Sequence, residues 1–181
     1  MSQTIIRNGE RTSVRNLKAF KESIPEPAKH EVLIKVHSVS LNYRDIAIAT
    51  STYPFPVKDN VIPCSDAAGV VVQVGEGVKR VAVGDHVIGT LDFTNIYGPQ
   101  MDWLNGQGGP VDGVLREYVS IPAISAVKVP KDSPQSFSEW STLVVTGVTV
   151  WNTLYGNVPL KPGQIVLCLG MFFISLASRQ V

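Results

Sequence analysis

The sequence is poor in cysteine and in charge of either sign. Only Cys64 and Cys168 occur among the 181 residues, and they lie far apart in the chain. Two widely spaced cysteines do not make a disulfide framework, so we expect reduced thiols in a cytosolic setting. The net charge of +1 gives no electrostatic reason to expect nucleic acid or an anionic membrane surface as a partner.

Long apolar runs are also missing. The longest, residues 165–177, falls short of the roughly 20 residues that a membrane-spanning helix needs, and Gly170 interrupts it. A tail anchor in this stretch is therefore the disfavoured alternative. The N-terminal residues 1–4 lack the basic and apolar regions of a signal peptide. We expect a cytoplasmic protein with no membrane partner.

Short apolar segments separated by Gly, Pro, Asn and Asp fill the chain as far as residue 130. Residues 31–41 alternate apolar and polar side chains, which is the period-two pattern of a half-buried strand. Turn signals and β-branched residues predict four further strands, at 69–74, 86–88, 113–121 and 126–129. Several short strands with turns between them predict a mainly β domain, built as a barrel or a sandwich.

The pattern changes to helical spacing after Ser136. Ser136 and Glu139 have the spacing of a capping box, which marks the start of a helix. Apolar residues recur at helical intervals through 143–154, and Gly156 is the candidate C-cap. A Pro-Gly turn then leads into the apolar run 165–169, which is typical of the first strand of a nucleotide-binding unit.

Two polar segments beside the predicted strands could carry chemistry. Residues 42–45 (Asn-Tyr-Arg-Asp) follow the strand at 31–41 directly, and Tyr53 lies eight residues beyond Asp45. Residues 62–69, which include Asp66, form a run of small side chains that leads into the next strand. From composition alone, a turn with a structural Arg–Asp contact and close backbone packing are the simpler explanations.

Residues 91–110 form a long stretch without a regular pattern. The stretch contains the aromatic residues Phe93, Tyr97 and Trp103. Loops of this length are often functional, so it is a candidate lid or substrate wall, with plain surface coverage as the alternative.

Taken together, these segments form an ordered set of motifs. In this order and at these spacings, they closely resemble the medium-chain dehydrogenase/reductase superfamily, in particular its zinc-independent quinone-oxidoreductase-like members. The resemblance covers nearly the whole chain as far as about residue 169. The motifs occupy residues 42–45, 62–75, 83–87, 113–119, 142–154 and 160–163.

The resemblance implies three parts of the chain. Residues 1–130 would form a GroES-like β-barrel, which is the catalytic domain in this superfamily, and residues 131–156 a linking helix segment. Residues 157–181 would begin a Rossmann α/β unit with its first strand. The glycine-rich phosphate loop and helix that should follow do not occur, so we expect a truncated, incomplete nucleotide-binding domain.

The resemblance also implies an activity and a set of site residues. Similar enzymes transfer a hydride between NADPH or NADH and a small carbonyl, quinone or enone substrate. Tyr53 aligns with an active-site tyrosine that can donate a hydrogen bond to a substrate oxygen. Asn42 aligns near the nicotinamide and the substrate, and Thr146 near the nicotinamide end of the cofactor. Asn42, Asp45 and Tyr53 are the predicted catalytic residues, with Asn42 and Thr146 predicted to bind the cofactor.

No zinc site is implied. Zinc-dependent relatives have cysteine where Asn42 and Tyr43 stand, and a His-Glu pair where residues 65–66 stand. A catalytic zinc needs about three converging side-chain ligands. The nearby candidates are Cys64, Asp66 and His86.

One alternative from a different class stays open. Without most of the nucleotide-binding domain, we expect poor or absent turnover by this chain and at most weak binding of NADPH or NADH. The alternative is a non-catalytic barrel module that binds a partner chain. In that case the apolar C-terminal strand would be exposed and could pair with another chain.

Overall fold

The computed structural model describes residues 1–167 and is mainly β, as the sequence predicts. Its strands are β1 (Ser2–Asn8), β2 (Leu17–Ser23), β3 (Glu31–Ser40), β4 (Asp66–Val74), β5 (His86–Gly89), β6 (Tyr118–Pro122) and β7 (Ala126–Lys128). Its α-helices are α1 (Tyr43–Ala49), α2 (Phe137–Ser141) and α3 (Val148–Tyr155). A π-helical turn spans Leu143–Gly147, and 3-10 turns span Val14–Asn16 and Ala123–Ser125.

Five strands form the main sheet, in the order β6-β3-β4-β5-β7, and every neighbouring pair is antiparallel. The β3–β4 pair contains two register shifts, between Leu33 and Ile34 and between Val36 and Ser38. Bulges of this kind bend a strand and increase its twist, so the sheet curls. β1 and β2 form a separate antiparallel ribbon. This ribbon meets the end of the main sheet, where the backbone N–H of Glu117 donates to the carbonyl of Thr4 at 3.1 Å.

The core lies on the inner face of the curled sheet. Val32 and Ile34 of β3 are buried there, as the period-two pattern predicts, and Leu33 between them is buried as well. Burial of these aliphatic side chains supplies the main driving force for the sheet to fold. The cluster consists of Val32, Ile34, Val71, Val81, Val87, Val119, Ile121 and Ala126.

Four of the five predicted strands are confirmed nearly in place, and the predicted strand at 113–121 is partly wrong. β6 begins only at Tyr118, because the residues before it use their backbone groups elsewhere. The N–H of Gly113 donates to the carbonyl of Ile62 at 2.7 Å, and that of Val114 to the carbonyl of Cys64 at 3.0 Å. Three elements were not predicted at all, namely β1, β2 and α1.

The helical segment begins as predicted. The hydroxyl of Ser136 accepts from the N–H of Glu139 at 3.3 Å, and the Glu139 carboxylate accepts from the N–H of Ser136 at 2.7 Å. The run to Tyr155 is not one continuous α-helix, since the π-helical turn separates α2 from α3. The N–H of Gly156 donates to the carbonyl of Asn152 at 3.0 Å, which ends α3.

The last part of the described chain carries no regular element. Residues 164–167 lie outside helix and strand, and the rest of the strand predicted at 165–169 falls beyond the described residues. The division into residues 1–130, 131–156 and 157–181 stays a prediction. Within residues 1–167, no helix has both the length and the apolar character needed to cross a membrane.

Candidate functional site

Asn42 lies between β3 and α1 and occupies the N-cap position of α1. Its backbone N–H donates to the Asp45 carboxylate at 2.8 Å, and its carbonyl accepts from the Asp45 N–H at 3.0 Å. A carboxylate in the first turn also satisfies the positive end of the helix dipole. The structure therefore places two of the predicted catalytic residues together.

Asp66, the first residue of β4, lies against the Asn42 side chain. The amide Nδ2 of Asn42 donates a hydrogen bond to Oδ2 of Asp66. Asp66 is 1% exposed. Burial raises its pKa to about 6, the hydrogen bond from Asn42 and the nearby N–H of Val145 oppose the rise, and Asp45 adds to it. Its second oxygen, Oδ1, has no partner that meets hydrogen-bond geometry among the described residues.

Cys64 completes this group, which we call the acidic cluster: Asn42, Asp45, Cys64 and Asp66. The thiol is buried, and its pKa is raised by that burial and by the neighbouring carboxylates Asp45 and Asp66. Burial likewise raises the pKa of Asp45. A protonated thiol is a poor nucleophile and a poor metal ligand. The geometry therefore gives Cys64 a packing role within the cluster.

Thr146 lies on the π-helical turn, whose backbone reaches the acidic cluster. The Thr146 hydroxyl donates to the carbonyl of Thr142, and its oxygen keeps lone-pair capacity to accept from another donor. The N–H of the preceding residue, Val145, is close enough to Asp66 to favour its charged form. Asp66 thus lies between Asn42 and the turn that carries Thr146, which are the two predicted cofactor-binding positions.

Tyr53 belongs to a second group of contacts, centred on Arg44 of α1. Nε of Arg44 donates to the Tyr53 hydroxyl at 3.0 Å, and Nη1 donates to the carbonyl of Gln107 at 2.7 Å. The Tyr53 ring meets Phe55 edge to face, with 5.5 Å between ring centroids. Arg44 therefore does not form the structural contact with Asp45 that the simpler sequence interpretation expected.

The loop at residues 91–110 packs beside Tyr53. Trp103 stacks on Phe55 with 5.5 Å between ring centroids. The loop is held internally by Asp92, whose carboxylate accepts from the N–H of Thr94 at 2.7 Å and from Nε2 of Gln100 at 2.8 Å. Trp103 of the loop thus extends the aromatic surface formed by Tyr53 and Phe55.

The three candidate zinc ligands do not converge. His86 starts β5, pairs with Val70 and packs against Phe137 at 4.8 Å between ring centroids. Asp66 is the first residue of β4, four residues before Val70. In the part of the chain that the structure describes, no three His, Cys, Asp or Glu residues are grouped so that they could hold a metal ion.

Two residues matter more in the structure than the sequence predicts. Arg44 joins α1 to Tyr53 and to the 91–110 loop, and Asp66 joins α1 to the π-helical turn. The available signal was a charged residue among small or apolar neighbours, as with Asp66 beside Ala67 and Ala68. That signal indicates a buried charge, but it does not identify its partner.

Comparison with known proteins finds similar sequences along most of the chain. Residues 28–131 match the model of the alcohol dehydrogenase GroES-like domain. A zinc-type alcohol dehydrogenase-like protein of Schizosaccharomyces pombe is 36% identical over 99% of this chain and 53% of its own length. The acryloyl-coenzyme A reductase of Sulfurisphaera tokodaii is 33% identical over 81% of this chain and 45% of its own length.

A solved structure shows the same architecture. A putative alcohol dehydrogenase from Sinorhizobium meliloti superposes with a TM-score of 0.75 and 31% identity, covering 84% of this chain and 45% of that protein. These similarities confirm the predicted GroES-like fold. The chain spans about half the length of the curated relatives named above.

Proposed function

Because the chain belongs to the alcohol dehydrogenase GroES-like family, we propose that it forms the substrate-facing part of an oxidoreductase that uses NADPH or NADH. The reaction is hydride transfer to or from a small carbonyl, quinone or enone. The similar proteins named as an alcohol dehydrogenase and as an acryloyl-coenzyme A reductase support this reaction class. The nicotinamide supplies the hydride chemistry, and the protein supplies binding, orientation and a polar environment.

One observation carries the proposal: the Asn42 amide donates to Asp66, and Asp66 begins strand β4, which contacts the π-helical turn that bears Thr146. A nicotinamide carboxamide needs both hydrogen-bond donors and acceptors, and the amide of Asn42 and the hydroxyl of Thr146 offer both. Both residues are half-buried, so a ligand can reach them. We assign Asn42 and Thr146 to the nicotinamide end of the cofactor.

Tyr53 is the proposed donor to the substrate oxygen. A phenol O–H aimed at that oxygen stabilises the negative charge that develops there during hydride transfer to a carbonyl. The neighbouring Phe55 and Trp103 are 38% and 49% exposed and would pack against a flat, apolar substrate. Asp45 acts in this proposal through Asn42, whose backbone it holds.

The proposed reaction uses no zinc. Cys64 holds its proton because burial raises the pKa of its thiol, and His86 packs against an aromatic ring away from Asp66. These residues do not fit a tetrahedral zinc site, so no step is assigned to a metal. A cytoplasmic setting, expected from the composition, belongs to the same proposal.

Calorimetric titration of NADPH and NADH into the purified 181-residue chain tests the cofactor assignment. Thr146→Val removes the proposed contact, and Thr153→Val is its matched control, since the Thr153 hydroxyl makes the same backbone bond four residues back, at 2.8 Å, on the exposed face of α3. We expect weak but saturable binding, which Thr146→Val weakens further by about 10-fold, the size of one lost hydrogen bond. Thr153→Val should bind like the wild type.

The same samples test turnover with quinones and enones, which we expect to be slow for this chain alone. A folded, monodisperse sample that binds neither nucleotide would contradict the proposal. That result would favour the partner-binding module instead. Ile165 and Leu167, which are 96% and 80% exposed, are the described residues that such a partner would cover.

A further inference from the structure

Arg44 is a half-buried cation that ties three separate segments together. It lies on the first turn of α1, donates through Nε to the Tyr53 hydroxyl at 3.0 Å, and donates through Nη1 to the carbonyl of Gln107 at 2.7 Å. Its guanidinium carbon also lies 5.0 Å from the centroid of the Tyr53 ring. The Arg44 side chain therefore connects helix α1, Tyr53 and the 91–110 loop.

The 91–110 loop is shaped to admit this guanidinium. A Cβ atom at Gly109 would stand 2.7 Å from Nη2 of Arg44, and one at Gly106 would stand 3.5 Å from it. Gln107 between them is almost fully buried and is itself fixed, since its N–H donates to the carbonyl of Leu91 at 3.0 Å. Arg44 thus binds a buried, hydrogen-bonded part of the loop.

The Arg44 guanidinium donates its hydrogen bonds to neutral oxygens. Within residues 1–167, no carboxylate lies within 4.0 Å of its guanidinium, although Asp45 follows it in sequence. A hydrogen bond from a charged donor is about twice as strong as a neutral one, and it polarises the group that accepts it. The Tyr53 hydroxyl and the Gln107 carbonyl are the two oxygens that accept these charge-assisted hydrogen bonds.

This geometry determines what the Tyr53 hydroxyl can do. Its oxygen accepts from Arg44, which leaves its hydrogen to donate elsewhere, and none of the described residues accepts that hydrogen. A phenol whose oxygen already accepts from a cation is a better donor to the next acceptor. The free hydrogen is the one that the proposed function assigns to the substrate oxygen.

We propose that Arg44 is a positioning residue of the active site. It orients the Tyr53 hydroxyl toward the substrate and holds the 91–110 loop beside that hydroxyl. This inference rests on the proposed function for its catalytic consequence, but the Arg44–Tyr53–Gln107 link stands independently of turnover. Lysine cannot replace it fully, because a single ammonium lacks the planar fork that reaches two acceptors in fixed directions.

The kinetic test compares Arg44→Gln and Arg44→Lys with Arg80→Gln, which replaces an exposed arginine on another part of the surface. We expect Arg44→Gln to lower kcat/KM about 10- to 100-fold, mainly through kcat, as the loss of a charge-assisted hydrogen bond predicts. Arg44→Lys should recover part of the loss. Adding Arg44→Gln to Tyr53→Phe should cost less than about 3-fold more, because the two residues act through one hydroxyl.

A second measurement needs no turnover. In protein labelled with 13C at the tyrosine ring carbon bearing the hydroxyl, Tyr53→Phe identifies the Tyr53 signal. Arg44→Gln should shift that signal and accelerate amide hydrogen exchange at Gln107 and Val111, whose N–H groups donate within the loop, whereas Arg80→Gln should change neither. If Arg44→Gln does not fold, Arg44→Lys provides the comparison, with a smaller shift in the same direction.

The outcomes separate the two proposals. An unmoved Tyr53 signal in a folded Arg44 variant overturns the positioning role, whatever the activity. Turnover that Arg44→Gln leaves unchanged also overturns that role, while the proposed function stands. Absence of nucleotide binding and turnover, with the Tyr53 signal shifted as expected, overturns the proposed function and leaves the Arg44 link in place.

Discussion

Cys64 shows how a single residue can be fixed by its neighbours. Its backbone has a φ of 68°, in the left-handed region that costs a non-glycine residue about 1 kcal/mol or more. The strained residue is held because its carbonyl accepts from the N–H of Val114 at 3.0 Å. Gly113 makes this approach possible, since a Cβ there would lie 1.9 Å from the Cys64 carbonyl oxygen.

Replacing Gly113 by alanine should therefore destabilise the fold strongly. The added methyl would overlap a backbone atom that cannot rotate away, so we expect a loss of about 3 kcal/mol in the free energy of unfolding. Urea denaturation measures this loss. Gly89→Ala is the matched control, because its Cβ would lie 3.6 Å from the nearest atom, in ordinary contact. Equal stability of the two variants would contradict the packing argument.

At the scale of elements, α2 connects the helical segment to the sheet. The Phe137 ring lies between two imidazoles, 4.6 Å from the centroid of His37 on β3 and 4.8 Å from that of His86 on β5. The helix is only five residues long, so its own hydrogen bonds contribute little to its stability. Its cap and this aromatic contact must hold it, and the π-helical turn follows directly.

Removal of the cap tests that dependence. Ser136→Ala deletes the oxygen that accepts from the N–H of Glu139, and we expect it to cost about 1 kcal/mol in the free energy of unfolding. Ser136→Asn keeps a capping oxygen and should stay close to the wild type. Chemical denaturation followed by tryptophan fluorescence gives both values. If the alanine and asparagine variants unfold together, α2 is held by packing alone.

How well each element can be predicted from the sequence depends on how its residues are buried. β3 has the buried aliphatic residues Val32 and Ile34, so its sequence pattern is visible. β2 has almost no buried residue, and its sequence therefore shows no periodicity to detect. Helix α1 spans only seven residues, too few for a clear helical period beside a strong strand. The sequence pattern located Asn42 and Asp45. The Arg44–Tyr53 bond joins residues nine positions apart through a turn that local patterns do not define.

At the scale of the whole molecule, the buried carboxylates fall into two groups with opposite electrostatic environments. Asp85 accepts from the N–H of Ala82 and pairs with Lys128 and Lys131 at 3.0 and 3.3 Å, contacts that lower its pKa to about 2. Asp66 has the opposite environment, because its burial raises the pKa to about 6. Asp85 therefore stabilises the fold in its charged form, whereas Asp66 is compatible with the fold mainly in its protonated form.

The two groups predict a stability maximum in weak acid. Folded Asp66 keeps its proton up to a pKa of about 6, whereas unfolded Asp66 loses it near 3.8, so the free energy of unfolding falls as the pH rises between these values. The full fall is on the order of 3 kcal/mol, at about 1.4 kcal/mol for each unit of pKa difference. Below pH 3.8, protonation of Asp85 toward its folded pKa of about 2 removes stability on the acid side.

Denaturant titrations from pH 3 to pH 7 on the wild type, Asp66→Asn and Asp85→Asn test this account. Asp66→Asn keeps an oxygen that can accept from Asn42 but carries no charge, so its stability should fall much less than that of the wild type between pH 4 and pH 6. The part that remains comes from Asp45, whose pKa is also raised by burial. Asp85→Asn should keep that fall and weaken the acid-side dependence, part of which Asp92 and Asp112 also carry because their pKa values are lowered. If Asp66→Asn shows the same pH dependence as the wild type, the Asp66 carboxylate stays charged in the fold. Its contacts with Asn42 and the π-helical turn would then stabilise the charge more than burial penalises it.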